Sequence, residues 1–210
     1  MNAINWSSFE RAGFGSYKKA ALSWMFRHGK IFWEYLLIAS VKLVFLRYGI
    51  TEGVLVLDEL DRARCKITKR IHKAYKQKDK KTGGYVNGQT VVLLLLVTES
   101  VTFPIGFKFY MPDPVLSTWK KADEKFRKQG VTKKKRPVSP KPDPEYPTKH
   151  SLALELLKEF KQAHPEISVK CLLADALYGT GDFLDDACSI LGVRQAISQL
   201  RSNNGSVNNF

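Results

Sequence analysis

Across residues 6–48 apolar side chains recur at helical spacing, and Gly13, Gly15 and Gly29 interrupt them, which predicts two or three helices over residues 1–50. Within that region residues 31–46 are apolar but carry Glu34 and Lys42, and no small-residue cleavage site follows. The pattern predicts a buried helix rather than a membrane span or signal peptide. Past Gly53 the periodicity changes. Val54-Leu55-Val56-Leu57 is a continuous aliphatic run that closes on Asp58, the pattern of a strand buried on both faces. Residues 90–98 predict a second, central strand, since the uncharged stretch 91–97 is far too short to cross a bilayer as a helix. Residues 103–111 alternate as a third strand, with Pro104 near its start, where a strand tolerates proline. Short turns between the three imply an antiparallel meander.

Pro112-Asp113-Pro114 breaks this order, and residues 117–147 are rich in Lys and Pro. They read as a basic, partly extended insertion. Thr148 or Ser151 then caps a helix over 152–163, whose Leu152, Leu156, Leu157 and Phe160 share one face. Residues 169–174 form another apolar run that ends in an acid, Asp175; a helix over 180–191 and a strand over 193–198 follow. Three strands, helix, strand, helix, strand is an α/β order that predicts a mixed sheet flanked by helices. The expected organisation is an N-terminal helical region at 1–50, a sheet domain at 51–200 with the insertion at 117–147, and a disordered tail at 201–210.

Composition adds a partner. The chain has 34 Lys and Arg against 20 Asp and Glu, a formal net charge of +14, so a polyanion is expected and nucleic acid fits best. A membrane surface would require an amphipathic basic helix or a lipidation signal, and neither is evident. The expected phosphate contacts are Lys66, Lys69, Arg70, Lys73 and Lys76 in the basic stretch 66–81, and Lys133, Lys134, Lys135 and Arg136 in the insertion. Lys18, Lys19, Arg27, His28 and Lys30 could add to these, although scattered basic residues on helices more often form a solvated face. Cys65, Cys171 and Cys188 are odd in number and widely spaced, which suits neither a disulfide framework nor a zinc motif. A reducing cytoplasm is the expected setting.

The candidate chemistry rests on two aspartates. Asp58 and Asp175 each terminate an apolar run, and a sheet that pairs those strands would bring them together. Carboxylates at adjacent strand ends can hold two divalent ions roughly 4 Å apart for phosphoryl transfer. Each alone is more readily read as a turn residue, since Asp is common in turns. Asp58 sits in Val56-Leu57-Asp58-Glu59-Leu60-Asp61 before a basic stretch, and Asp175 in Leu172-Leu173-Ala174-Asp175-Ala176-Leu177-Tyr178-Gly179.

In these phrases, over roughly residues 50–200, the chain resembles the DDE transposases of bacterial insertion sequences, in the branch with a ribonuclease H-like domain. The resemblance implies that Asp58 and Asp175 are catalytic metal ligands for magnesium or manganese, that DNA is the substrate, and that the intact protein forms a homodimer. Glu59 and Asp61 are the nearest alternatives to Asp58, but strand alternation puts Glu59 on the other face. Tyr178 and Gly179 would shape the turn after Asp175, with Tyr178 either packed or touching the DNA backbone. The family's third ligand, a Glu on a helix after the last core strand, has no counterpart: Glu155, Glu159 and Glu166 precede the fourth strand, and Asp182, Asp185 and Asp186 belong to the next helix. A truncated protein with an incomplete, impaired active site is therefore expected. The competing readings are a DNA-binding remnant without turnover and a different ribonuclease H-like nuclease.

Overall fold

The computed structural model describes residues 6–12, 16–64, 71–79 and 82–199. The chain forms two compact units, Met1–Ser40 and Val41–Phe210. The first contains α1 (Trp6–Arg11), α2 (Lys19–His28) and the start of α3 (Trp33–Tyr48), matching the predicted helices. Gly29 closes α2 by donating its N–H to the Met25 carbonyl; Gly13 and Gly15 lie outside the described residues. The helix expected to be buried is α3, and the expectation holds along one edge only. Val41 and Phe45 are buried, whereas Leu43 and Leu46 are exposed. The second unit therefore begins inside α3, ahead of the boundary at residue 50 read from the sequence, because Phe45 packs edge-on against Phe103 and His164. No helix among the described residues is long and apolar enough to cross a membrane.

The second unit is built on six strands, β1 (Glu52–Ala63), β2 (Tyr75–Lys78), β3 (Tyr85–Val97), β4 (Thr102–Tyr110), β5 (Ser168–Ala174) and β6 (Ala196–Ser198). β1, β3 and β4 form the expected antiparallel meander, and β5 and β6 extend the sheet in parallel from β1. β3 takes β1 on one edge and both β2 and β4 on the other. This is the mixed sheet expected, with β2 added.

The helices α4 (Pro114–Lys128), α5 (Lys149–Ala163) and α6 (Gly181–Leu191) complete the unit. Thr148 caps α5 by accepting from the Ser151 amide. The apolar face of α5 buries Leu152, Leu156, Leu157 and Phe160 against β3 and β4, and α6 packs Phe183, Ala187 and Leu191 beside β5 and β6. The facing strand residues are Leu55, Leu57, Leu94, Leu96 and Leu172, all but inaccessible to solvent. Each such leucine stabilises the fold by about 1.5–3 kcal/mol. The opposite sheet face carries Val56, Asp58, Leu93, Phe107, Leu173 and Ile197, which are half-buried or exposed. β1 is thus fully buried on one face, where its unbroken aliphatic run implied two.

Three elements differ from the sequence reading. β1 does not stop at Asp58: β3 is long enough to pair it onward, from Asp58 opposite Leu93 to Ala63 opposite Gly88. β2 lies within the basic stretch 66–81, where no strand was expected. The insertion opens with a helix, because Asp113 accepts from the Val115 and Leu116 amides and Pro114 stands at the first helical position. Only its remainder, including a 3-10 turn at Lys133–Lys135, is extended and Pro-rich as anticipated.

Candidate active site

Parallel pairing of β1 with β5 sets the site. Leu57 stands opposite Ala174, both buried under the helices, and the Asp175 amide donates to the Leu57 carbonyl at 3.3 Å. Asp58 and Asp175 therefore occupy the next step of the register, on neighbouring chain segments that a sheet spaces about 4.8 Å apart. Alternation turns both away from the helices and toward the other face, where both are exposed. They line one cleft of about 380 Å³ with Leu173, Ile197, Ser198 and Gln199.

Each aspartate commits one oxygen to its own chain. Asp58 Oδ1 accepts from the Glu59 amide and Asp175 Oδ1 from the Ala176 amide, both at 2.7 Å. Oδ2 of each accepts no hydrogen bond among the described residues. Two hard anionic oxygens facing a common solvent-filled cleft suit a magnesium- or manganese-type ion. No group of three or more His, Cys, Asp or Glu placed to hold a metal occurs among the described residues.

The turn after Asp175 is held from two sides. Ala176–Tyr178 forms a 3-10 turn capped by Asp175, and Gly179 presses against β6. A Cβ at Gly179 would lie 2.7 Å from the Gln199 carbonyl oxygen and 3.0 Å from Ser198 Oγ, so only glycine permits this approach. Ser198 Oγ in turn donates to the Asp175 carbonyl at 2.9 Å. Tyr178 is fully buried, packed against His150 and Phe183. Of its two anticipated roles, packing is the one observed; the ring is inaccessible to a DNA backbone.

Glu59 projects to the helix-covered side, as strand alternation requires, and meets groups the sequence did not single out. Lys149, the first residue of α5, pairs with Glu59 Oε2, and the Tyr178 hydroxyl donates to Oε1 at 3.4 Å. Burial first, then Glu59, pushes the Tyr178 hydroxyl well above the ordinary tyrosine range, with Asp175 and Asp58 adding to the effect. A lysine in a helix's first turn opposes the helix dipole; that local mismatch was the available signal that Lys149 answers a carboxylate. Asp61 accepts from buried Thr90, whose hydroxyl also meets Tyr75 at 2.6 Å, and so serves the β1–β3–β2 junction.

The basic candidates separate. Lys66, Lys69 and Arg70 lie outside the described residues. Lys73 donates to the Phe109 carbonyl and Lys76 sits over the Tyr85 ring. Lys133, Lys134 and Lys135 are exposed. Arg136 differs: it is half-buried and grips both Asp123 oxygens at 2.9 and 3.0 Å, tying the extended part of the insertion to its helix α4.

Two solved structures resemble the chain weakly. A Mos1 transposase paired-end complex with left transposon end has 11% identity and a TM-score of 0.32, covering 92% of this chain and 54% of that one. A pre-cleavage Mos1 transpososome has 9% identity and a TM-score of 0.23, covering 94% and 55%. The chain thus spans about half the length of these structural neighbours. No curated protein matches it. The family model described as DDE superfamily endonuclease matches residues 46–205, which takes in all six strands, both aspartates and helices α4 to α6. The chain belongs to the DDE superfamily of endonucleases.

Proposed function

We propose that this domain engages DNA phosphodiesters for cleavage and strand transfer during transposition of an insertion sequence, with Asp58 and Asp175 as two of the metal-binding carboxylates. The observation that carries the reading is the placement of both side chains on one face of adjacent segments, lining one cleft. Bound magnesium or manganese ions would activate the attacking hydroxyl and stabilise the leaving oxygen. The protein's part is to hold the two carboxylates rigidly and to position the phosphate. Lys133, Lys134 and Lys135, with the basic stretch around Lys73 and Lys76, supply phosphate contacts that favour duplex DNA without sequence preference. Arg136 serves by fixing the insertion.

The test is nicking of supercoiled DNA in magnesium and in manganese. Asp58→Asn and Asp175→Ala are each expected to remove the metal-dependent nicking. Robust nicking that survives both substitutions refutes the site.

A further inference from the structure

We propose that Lys149, Glu59 and Tyr178 are positioning residues that lock Asp58 and Asp175 in place from the helix-covered side of the sheet. The inference rests on the reading of those aspartates as metal ligands. Asp58 and Glu59 are consecutive on β1, so whatever holds Glu59 beneath the sheet fixes Asp58 above it. Glu59 is held by Lys149 and by the Tyr178 hydroxyl. Tyr178 closes the 3-10 turn that Asp175 opens, its amide donating to the Asp175 carbonyl at 2.9 Å. The same three groups thus join β1, the start of α5 and the turn that carries Asp175. Lys149 also lies 5.2 Å from the Tyr110 ring centre, with only 26% of its side chain exposed, so its ammonium is confined. An ion pair spanning 90 residues that merely stiffened the surface would have no reason to meet the strand beside Asp58.

The sign of one substitution separates positioning from simple charge. Lys149→Met removes a positive charge near the acidic pair, so electrostatics alone makes Mn²⁺ bind more tightly. Loss of positioning makes it bind more weakly, by about tenfold, the usual cost of removing a group that orients a metal ligand. Mn²⁺ affinity of the full chain is read by electron paramagnetic resonance, with thermal melting as the fold control. The expected order is parent, then Lys149→Arg close to it, then Tyr178→Phe and Lys149→Met weaker, at pH 7.5. Tyr178→Phe keeps the buried ring and removes only the hydroxyl, so it stays folded. Equal or tighter binding in folded Lys149→Met, with binding still abolished by Asp58→Asn, overturns the positioning role alone. Mn²⁺ binding that persists in Asp58→Asn and Asp175→Asn overturns the metal assignment, and the positioning role with it.

Discussion

Replacing Gly179 by alanine tests whether the turn that carries Asp175 is wedged against β6. The added Cβ would stand 2.7 Å from the Gln199 carbonyl oxygen and 3.0 Å from Ser198 Oγ. Carbon–oxygen contacts ordinarily settle at about 3.3–3.6 Å, so the turn or the end of β6 must retreat by roughly 0.6 Å or more. The nearer obstacle is backbone and has no rotamer to change. Overpacking of this kind costs about 1–3 kcal/mol. In a chain of this size each kcal/mol moves the melting temperature by about 2–4 °C, so a drop of roughly 2–12 °C is expected. Gly181, two residues on, has nothing within 4 Å of an added Cβ and begins α6. Gly181→Ala should therefore be neutral or stabilising by up to about 1 kcal/mol. Scanning calorimetry on the two variants reads the difference, and Mn²⁺ affinity reads its effect on Asp175, which sits four residues before the wedge and shares its turn. Equal melting temperatures for Gly179→Ala and Gly181→Ala would refute the reasoning, because of the two positions Gly179 alone meets an obstacle to an added Cβ.

Three further outcomes follow from the surroundings of particular side chains. His164 is buried against Phe45 and Phe160, and burial lowers its pKa from 6.5 although Glu166 opposes the shift and Lys42 assists it; the folded state then holds the proton less well than the unfolded chain, so its contribution is present above about pH 6.5 and lost as the pH falls below it. Urea denaturation should show a greater loss of stability between pH 7.5 and 5.5 in the parent than in His164→Gln, and parallel losses would refute the assignment. Replacing Lys133, Lys134 and Lys135 together by alanine should flatten the salt dependence of duplex binding by about 2 to 3 in logarithmic slope, whereas Arg136→Ala should leave that slope intact and cost about 1–3 kcal/mol of stability by unpairing Asp123. A changed slope in Arg136→Ala would show that its guanidinium reaches DNA.

What could be read from the sequence was whatever depends on local pattern. The aliphatic runs ending at Leu57 and Ala174 located two strands and, through them, both aspartates, and the spacing of Leu152, Leu156, Leu157 and Phe160 located α5 with its buried face. Features set by partners were not legible. β1 continues past Asp58 because β3 pairs with it that far, and Tyr75-Lys76-Gln77-Lys78 is a strand only because the start of β3 accepts it. The start of α4 was legible but misread: Pro112-Asp113-Pro114 looks like a break, yet an aspartate followed by proline is also a capped helix start. Glu59 was correctly turned away from the aspartates by alternation, but its pairing with Lys149 across 90 residues depends on how α5 lies on the sheet.

The most direct test of the central claim is an anomalous-scattering map of crystals soaked in Mn²⁺. The expected result is a peak in the cleft within about 2.6 Å of a carboxylate oxygen of both Asp58 and Asp175, the range for oxygen ligands of hard divalent ions, and its absence from crystals of Asp175→Asn. Mn²⁺ found at other carboxylates of the same crystals, with none between these two, would contradict the claim.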